Sequence, residues 1–225
     1  MIRFTPIAVL AACALIAGSA EGAAGKRFFG VVPQAAMDTA DFKRMGKGKV
    51  GTLRVPIFWS AVDTAAPSGD FDFSGSDFVI GEAARNGVEI LPFLYDTPAW
   101  VAKKLNNRSC GSNCAIYAPT TKAALSAWRD FVAAAVARYG REGTFWTQNP
   151  RIPKRPIRAW QIWNEQNSRS FFAPKVKPRR YARLLAVAAA EVSNEDRSAD
   201  VVLGGMPQLA GSRKATAGSK YLRQP

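Results

Sequence analysis

The chain has 225 residues, enough for one domain with a sizeable core, and its 48% hydrophobic and 21% charged residues exclude a mostly disordered protein. The 31 Lys and Arg residues exceed the 17 Asp and Glu residues, and the net charge of +14 either serves solubility or favours anionic partners such as acidic polymers, anionic lipid and nucleic acid. Histidine does not occur, which excludes Ser-His-Asp and Cys-His catalysis and removes the commonest ligand of catalytic zinc, so we expect no metal and no other cofactor.

Residues 1–24 are predicted to be a processing signal. Arg3 gives a positive start, an apolar run covers 7–16, and small residues at 18–20 offer a cleavage site. The apolar run is too short to cross a bilayer as a helix, so we expect a processed protein without a transmembrane helix, secreted or held in the cell envelope. The letters LAAC ending at Cys13 also resemble a lipoprotein cleavage box, but the apolar run continues past that cysteine, which argues against lipidation.

Beyond this segment, short β-rich runs alternate with helical stretches. Strands are predicted at 27–33, 51–59, 88–95, 157–165 and 201–206, and helices at 38–46, 74–87, 120–140 and 179–194. Asp38 is the predicted N-cap of the first helix, and Ser74 or Ser76 that of the second. Because strands alternate with helices, we expect βα units and a parallel sheet.

Such a sheet either stays open and doubly wound or closes into a (β/α)₈ barrel. The first strand and the residues after it, RFFGVVPQAA at 27–36, lack the Gly-x-Gly-x-x-Gly pattern of a nucleotide-binding open sheet. The predicted class is therefore α/β of the (β/α)₈ TIM-barrel type, N-terminal part only, with about five parallel strands and four helices.

Ordinary signal cleavage leaves two cysteines, Cys110 and Cys114. Export implies an oxidising compartment, and the flexible residues between the two cysteines let the chain turn back on itself. Two thiols without a histidine are too few ligands for a metal ion. We therefore predict a local disulfide that pins a loop.

Aromatic, amide and acidic side chains collect where the predicted strands end. The second strand ends in Phe58-Trp59-Ser60, the third in Tyr95-Asp96-Thr97-Pro98-Ala99-Trp100, and the fourth in Asn164-Glu165-Gln166-Asn167. A barrel uses the carboxyl ends of its strands as its active site. Tryptophan faces stack on sugar C–H groups, while amides and carboxylates bind hydroxyls. A glycosidic bond also needs a proton on its leaving oxygen, and Glu165, beside an apolar wall, is the candidate acid.

Three stretches carry a resemblance to a known group of enzymes. WQIWNEQN (160–167) resembles the strand-four motif of clan A retaining glycoside hydrolases, and LRVPIFW (53–59) is similar to their second strand. TPAW (97–100) resembles the third-strand rim of members akin to families five and thirty-nine. The resemblance implies these site roles: acid/base for Glu165, a bond to the sugar 2-hydroxyl for Asn164, a hold on the nucleophile's carboxylate for Arg54, and subsite walls for Trp59 and Trp100.

The chain departs from that group in one respect. The resemblance implies a second Glu, the nucleophile, at the end of a seventh strand, but no Glu follows Glu195 and no Asp follows Asp200, and both precede the fifth predicted strand. We therefore expect residues 25–225 to form a glycoside hydrolase catalytic domain that is incomplete at its C-terminus and holds the acid/base half of the site.

Each of these residues also has a simpler interpretation. Trp160 and Trp163 are expected to be packing residues, Arg54 is also explained as a buried ion-pair partner, and Glu165 as a loop acid. Asp96 either lines the groove or caps the turn that follows it.

The predicted function is that of an exported glycosidase acting on a β-linked glycan. The alternative is a non-catalytic carbohydrate-binding or cell-envelope protein derived from a barrel glycosidase. The basic segments 154–158 and 175–180 are solvated surface or favour acidic glycans, so the expected partner is an oligo- or polysaccharide, acidic ones included. Nucleic acid is not expected, because no site interleaves aromatic with basic residues.

Overall fold

A computed structural model describes residues 25, 28–65, 69–208 and 216–223 of the chain. The predicted processing signal, including Cys13, lies outside the described residues. The strands are β1 (Gly30–Val31), β2 (Thr52–Phe58), β3 (Glu89–Tyr95), β4 (Ala159–Ile162) and β5 (Asp200–Leu203). The helices are α1 (Thr39–Lys47), α2 (Trp59–Val62), α3 (Ser74–Arg85), α4 (Lys122–Tyr139), α5 (Thr144–Gln148), α6 (Pro178–Glu195) and α7 (Gly218–Leu222), with a π-helical turn at Val101–Leu105.

The five strands form one parallel sheet in the order β1-β2-β3-β4-β5. Each neighbour follows in sequence, as in a barrel, whereas a doubly wound sheet reverses its order at a switch point. The predicted α/β class, the parallel pairing and the strand order are therefore confirmed. In this sheet β1 and β5 are the edges, and the edge residues Val31 and Leu203 are 39% and 45% exposed.

The four long helices that the sequence predicts are present as α1, α3, α4 and α6. Asp38 caps α1 through a capping box, in which its carboxylate accepts the Asp41 N–H at 2.9 Å and the Asp41 carboxylate accepts the Asp38 N–H at 3.1 Å. The predicted caps of α3 are wrong, because that helix already includes Ser74 and Ser76 and Phe73 is its N-cap residue. The short helices α2, α5 and α7 hold too few residues to show a helical period in sequence.

Strand β2 shows why one face of the sheet forms the core and the other carries polar groups. Its residues alternate, so that Leu53, Val55 and Ile57 are buried while Arg54 and Phe58 lie on the opposite face. Several of the largest core side chains come from α4, from β4 and from the residue just after β4. They include Trp128, Phe131, Trp160 and Trp163, all 0% exposed, which confirms the packing interpretation of the last two.

Candidate active site

Glu165 lies just beyond the carboxyl end of β4 in a backbone conformation that few residues adopt. Its φ is +44° and that of Trp163 is +67°, both in the left-handed region. The conformation is held from two sides. The Glu165 N–H donates to the Gly205 carbonyl at 2.8 Å, and the Ser168 N–H donates to the Glu165 carbonyl at 2.8 Å. Strained backbone that the surroundings over-determine is found at functional sites, and here it fixes where the Glu165 side chain starts.

The two amides after Glu165 are structural rather than exposed loop residues. Gln166 and Asn167 are both 0% exposed. The Gln166 Nε2 donates to the Gly204 carbonyl at 3.1 Å, and the Asn167 Nδ2 donates to the Pro207 and Thr216 carbonyls at 3.0 and 2.8 Å. They tie the loop after β4 to the segment after β5. In the run Asn164-Glu165-Gln166-Asn167, the first two residues are therefore half-buried, and the last two are buried and hold the loop in place.

Arg54 joins β2 to the end of β4 across the same face of the sheet. Its Nε donates to Gln161 Oε1 at 2.9 Å and its Nη2 donates to Asn164 Oδ1 at 2.8 Å. The guanidinium lies 4.1 Å from the centre of the Phe93 ring on β3, a cation–π distance. Arg54 and Asn164 are thus brought together beside Glu165, as the sequence analysis expects.

Burial and charge act against each other at this pair. Burial raises the pKa of the Glu165 carboxyl above its ordinary value, and the positive charge of Arg54 opposes that shift. Burial lowers the pKa of Arg54, and the negative charge of Glu165 opposes it in turn. No hydrogen bond to the Glu165 carboxylate is found in the part of the chain that the structure describes, so the group is available to a ligand. A carboxyl group with a raised pKa is suited to donate a proton near neutral pH.

Tyr95, which the sequence analysis did not assign to the site, lies between the two acids of this rim. Burial, and then the charges of Asp96 and Glu165, raise the pKa of the Tyr95 phenol well above its ordinary value. Its ring centre is 5.0 Å from that of Trp163 and 6.3 Å from that of Phe58. Strand alternation signals this position, since Tyr95 is two residues past Phe93 and therefore on the same face of β3.

The expectation that Trp59 lines a sugar subsite is wrong. Trp59 is 0% exposed, stacks on Phe131 at 5.6 Å between ring centres, and donates its Nε1–H to Asp63 Oδ2 at 3.1 Å. Strand parity explains the error: position 59 continues the buried series that ends at Ile57, so its side chain enters the helix layer. The neighbouring aromatic, Phe58, has the opposite parity and is 44% exposed at the rim.

Trp100 and Asp96 follow β3 at the same end of the sheet. Trp100 is half-buried and donates its Nε1–H to the Asp63 carbonyl at 3.2 Å, and no contact among the described residues joins it to Glu165. Asp96 is 3% exposed and accepts the Ser60 N–H at 2.7 Å and the Ser60 hydroxyl. Burial raises the pKa of Asp96 to about 6, although hydrogen bonds from Ser60 and the Trp59 backbone oppose the shift. Asp96 therefore ties β3 to the start of α2.

The loop after β3 is closed by the predicted disulfide. Cys110 and Cys114 are bonded, with their Cα atoms 4.9 Å apart, and both are buried. Next to the bridge, Asn106 orders the remaining loop, because its Oδ1 accepts from the Thr120 N–H at 2.9 Å and its Nδ2 donates to the Ala118 carbonyl at 3.0 Å. The loop that carries Trp100 is therefore held at several points.

Comparison with solved structures shows which fold this is. A family 39 glycoside hydrolase from the gut symbiont Bacteroides cellulosilyticus WH2 matches with a TM-score of 0.55 and 18% identity over 79% of this chain and 31% of its own. Cel5A of Thermotoga maritima, solved with mannotriose, matches with a TM-score of 0.50 and 16% identity over 85% and 50% of the two chains. The chain therefore shares the fold of the part of these proteins that it matches.

A glucosidase from Croceicoccus marinus is a further match, with a TM-score of 0.51 and 17% identity over 82% of this chain and 38% of its own. The chain thus spans about a third to a half of the length of these barrel proteins. No protein-family model matches the sequence, and no curated protein matches it. The likeness therefore shows only the fold, an α/β arrangement of parallel strands and helices like the matched part of those barrels.

Proposed function

We propose that this chain is the acid/base part of an exported glycoside hydrolase that acts on a β-linked glycan, with Glu165 as the proton donor. One observation carries the proposal. A half-buried carboxyl group with a raised pKa stands next to the Arg54–Asn164 pair at the carboxyl end of β4, in the fold of glycoside hydrolases. Protonation of a leaving-group oxygen requires an acid that is still protonated near the working pH and that lies beside the sugar.

The neighbours of Glu165 have donors left for a sugar. Asn164 Oδ1 is occupied by Arg54, which leaves the two Nδ2–H donors to bind a hydroxyl, as proposed for the sugar 2-hydroxyl. Arg54 uses Nε and Nη2 in its two bonds and keeps Nη1 for an anionic group such as a nucleophile's carboxylate. Trp100 and the exposed ring of Phe58 are the proposed stacking surfaces.

A retaining mechanism needs a second carboxylate about 5 Å from the first. The other buried acids of this rim are engaged elsewhere: Asp63 accepts from Trp59 Nε1, and Asp96 accepts from Ser60. No Asp or Glu follows Asp200 in the sequence, and Asp200 begins β5 at its amino end. We therefore infer that none of the 225 residues supplies the nucleophile.

Residues 1–24 are proposed as the export signal and residues 25–225 as the catalytic domain, with the protein secreted or held in the cell envelope. None of the helices in the described residues is long and apolar enough to cross a membrane. The apolar run at 7–16 favours export because it resembles the core of a signal peptide. The disulfide between Cys110 and Cys114 favours it because disulfides persist in oxidising compartments.

A second candidate function is carbohydrate binding without catalysis. The groups bonded to one another beside Glu165 favour it, because amide, guanidinium and aromatic groups suffice to hold a sugar without cleaving it.

One experiment separates the two functions. The 225-residue chain and the same chain extended by the reading frame downstream of codon 225 are assayed with aryl β-glycosides and, by calorimetry, with neutral oligosaccharides. We expect oligosaccharide binding by both and hydrolysis by the extended protein alone, with Glu165→Gln lowering that hydrolysis by about 10²–10⁴-fold. Glu195→Gln, on an exposed residue, is the matched control. Hydrolysis by the 225 residues alone contradicts the half-site, and no hydrolysis by either protein favours the binding function.

A further inference from the structure

A small basic pocket opens between the N-terminal ends of α4 and α6. It has a volume of about 240 Å³, and its lining residues are Pro119, Thr120, Leu125, Arg180 and Arg183. The two arginines are three residues apart on α6 and so project from the same face of that helix. A pocket of this size with two guanidinium groups is suited to one small oxyanion such as a sulfate or carboxylate group.

The described residues do not neutralise the positive charge of the pocket. No carboxylate lies within ion-pair distance of Arg180 or Arg183 in the described ranges, and the buried Nη1 of Arg180 has no hydrogen-bond partner there. Farther along the same two helices an arginine does have a carboxylate partner, since Arg129 Nε of α4 lies 3.7 Å from Glu191 Oε1 of α6. Two neighbouring guanidinium groups without a counter-charge repel each other, and an anion bound between them offsets that repulsion.

A third arginine strengthens the positive potential. Arg108 donates its Nη2–H to the hydroxyl of Thr120 at 2.7 Å, and that hydroxyl donates to Asn106 Oδ1 at 2.8 Å. The pocket wall is therefore ordered before a ligand arrives. Both neighbouring helices have 18 residues, and their N-terminal ends add the positive pole of the helix dipole on the same side.

The basic pocket belongs to the same end of the molecule as Glu165. Thr120 is on the segment between β3 and α4, and Glu165 is on the segment between β4 and α6. These two segments are joined by the Ala173 N–H, which donates to the Ile116 carbonyl at 2.8 Å. Helices that follow parallel strands begin at the carboxyl ends of the strands, so the pocket and Glu165 lie at the same end of the sheet.

We propose that the basic pocket binds an anionic substituent of the glycan, a sulfate or uronate carboxylate, and so makes the substrate class an acidic polysaccharide. This inference rests on the proposed carbohydrate function of the Glu165 site. Arg180 and Arg183 bind the anion with charge-assisted hydrogen bonds. The other charges that make up the net charge of +14 contribute only screened, non-specific attraction.

The test measures binding of the full chain to four probes by calorimetry at about 0.15 M NaCl, where long-range attraction is screened. The probes are a neutral β-linked oligosaccharide, a sulfated one, an oligouronate and a single-stranded oligonucleotide. We expect the sulfated or the uronate probe to bind at least about tenfold more tightly than the neutral one, and Arg180→Gln with Arg183→Gln to remove that advantage. Arg197→Gln, an exposed arginine outside the pocket, is the matched control and should change affinity by less than about twofold.

The remaining outcomes overturn the proposal in different ways. Equal binding of neutral and acidic oligosaccharides refutes the basic pocket but leaves the carbohydrate function standing, whereas no binding of any oligosaccharide refutes both. An equal loss with Arg197→Gln shows diffuse attraction only. Oligonucleotide binding that depends on Arg180 and Arg183 and exceeds that of the acidic glycans assigns the site to nucleic acid. Circular dichroism of each variant, together with the exposed single variant Arg183→Gln, separates loss of binding from loss of fold.

Discussion

Arg54 Nη2 donates to Asn164 Oδ1 across 2.8 Å, and this bond connects β2 to the loop after β4, 110 positions away in sequence. The bond holds Asn164, the neighbour of Glu165, from β2, which is separated from β4 by β3. The same guanidinium is the positive charge that limits the rise of the Glu165 pKa. One side chain therefore holds Asn164 in place and also influences the protonation of the candidate acid.

Replacing Arg54 by methionine should change the free energy of unfolding and the pKa of Glu165. Arg54→Met keeps an aliphatic chain over Phe93 but leaves Gln161 Oε1 and Asn164 Oδ1 without their donor, so we expect the free energy of unfolding to fall by about 1–3 kcal/mol. Because Arg54 lowers the pKa of Glu165, its loss should raise that pKa further. Urea denaturation measures the first effect and carboxyl-carbon NMR titration the second. An unchanged Glu165 titration in Arg54→Met would show that the two charges are not coupled.

The sequence was sufficient for the long elements and for part of the site. Long helices such as α4 and α6 repeat their apolar residues over many turns, so the sequence shows them clearly. Strands that alternate with such helices are compatible with few sheet topologies, and the class and strand order are therefore predictable. The rim motif misplaces Trp59, because strand parity puts this residue on the buried side with Ile57. The role of Gln161 as the acceptor of Arg54 depends on a tertiary contact that no local pattern encodes.

Asp96 should make stability fall as pH rises. Burial raises its pKa to about 6 in the folded chain, from 3.8 for the free side chain. Between these values the folded state binds more protons at Asp96 than the unfolded state does, so the contribution of Asp96 to the free energy of unfolding is largest below pH 3.8 and decreases until about pH 6. The shift corresponds to at most about 3 kcal/mol.

Asp96→Asn tests this assignment without straining the backbone. Asparagine tolerates the φ of +72° found here and keeps an oxygen to accept the Ser60 N–H. We expect the variant to lose the decrease in stability between pH 3.8 and about 6, measured by urea denaturation at a series of pH values. Asp130→Asn, on an exposed residue of α4, is the control and should keep the slope. The same slope in both variants would assign the pH dependence to other groups.

Tyr181 should be a structural residue that stabilises the ends of β4 and β5 next to the site. Its buried hydroxyl donates to the Ile162 carbonyl at 3.0 Å and accepts the Gly204 N–H at 2.8 Å, which joins the ends of β4 and β5. Tyr181→Phe leaves both backbone groups unsatisfied, and we expect a loss of about 1–3 kcal/mol in the free energy of unfolding. Thermal and urea denaturation measure this loss, with Tyr117→Phe, a half-buried tyrosine, as the control. Equal stability of the two variants would mean that water replaces the hydroxyl without cost.

Phe58 and Trp59 should respond in opposite ways to removal of their rings, although they are adjacent in sequence. Phe58 is 44% exposed at the rim, so Phe58→Ala should leave stability within about 1 kcal/mol and weaken oligosaccharide binding by the loss of one stacking surface. Trp59 is 0% exposed and packs against Phe131 and Trp128, so Trp59→Ala should cost about 3–5 kcal/mol by opening a cavity.

The pair is read by two measurements on each variant: urea denaturation for stability, and calorimetry with a neutral oligosaccharide for binding. Trp59→Phe retains an aromatic ring in the helix layer, and we expect it to bind oligosaccharide as the parent chain does, because Trp59 faces away from the rim. Weaker binding by a stable, folded Trp59→Phe, with Phe58→Ala unaffected, would reverse the assignment and return the subsite to Trp59.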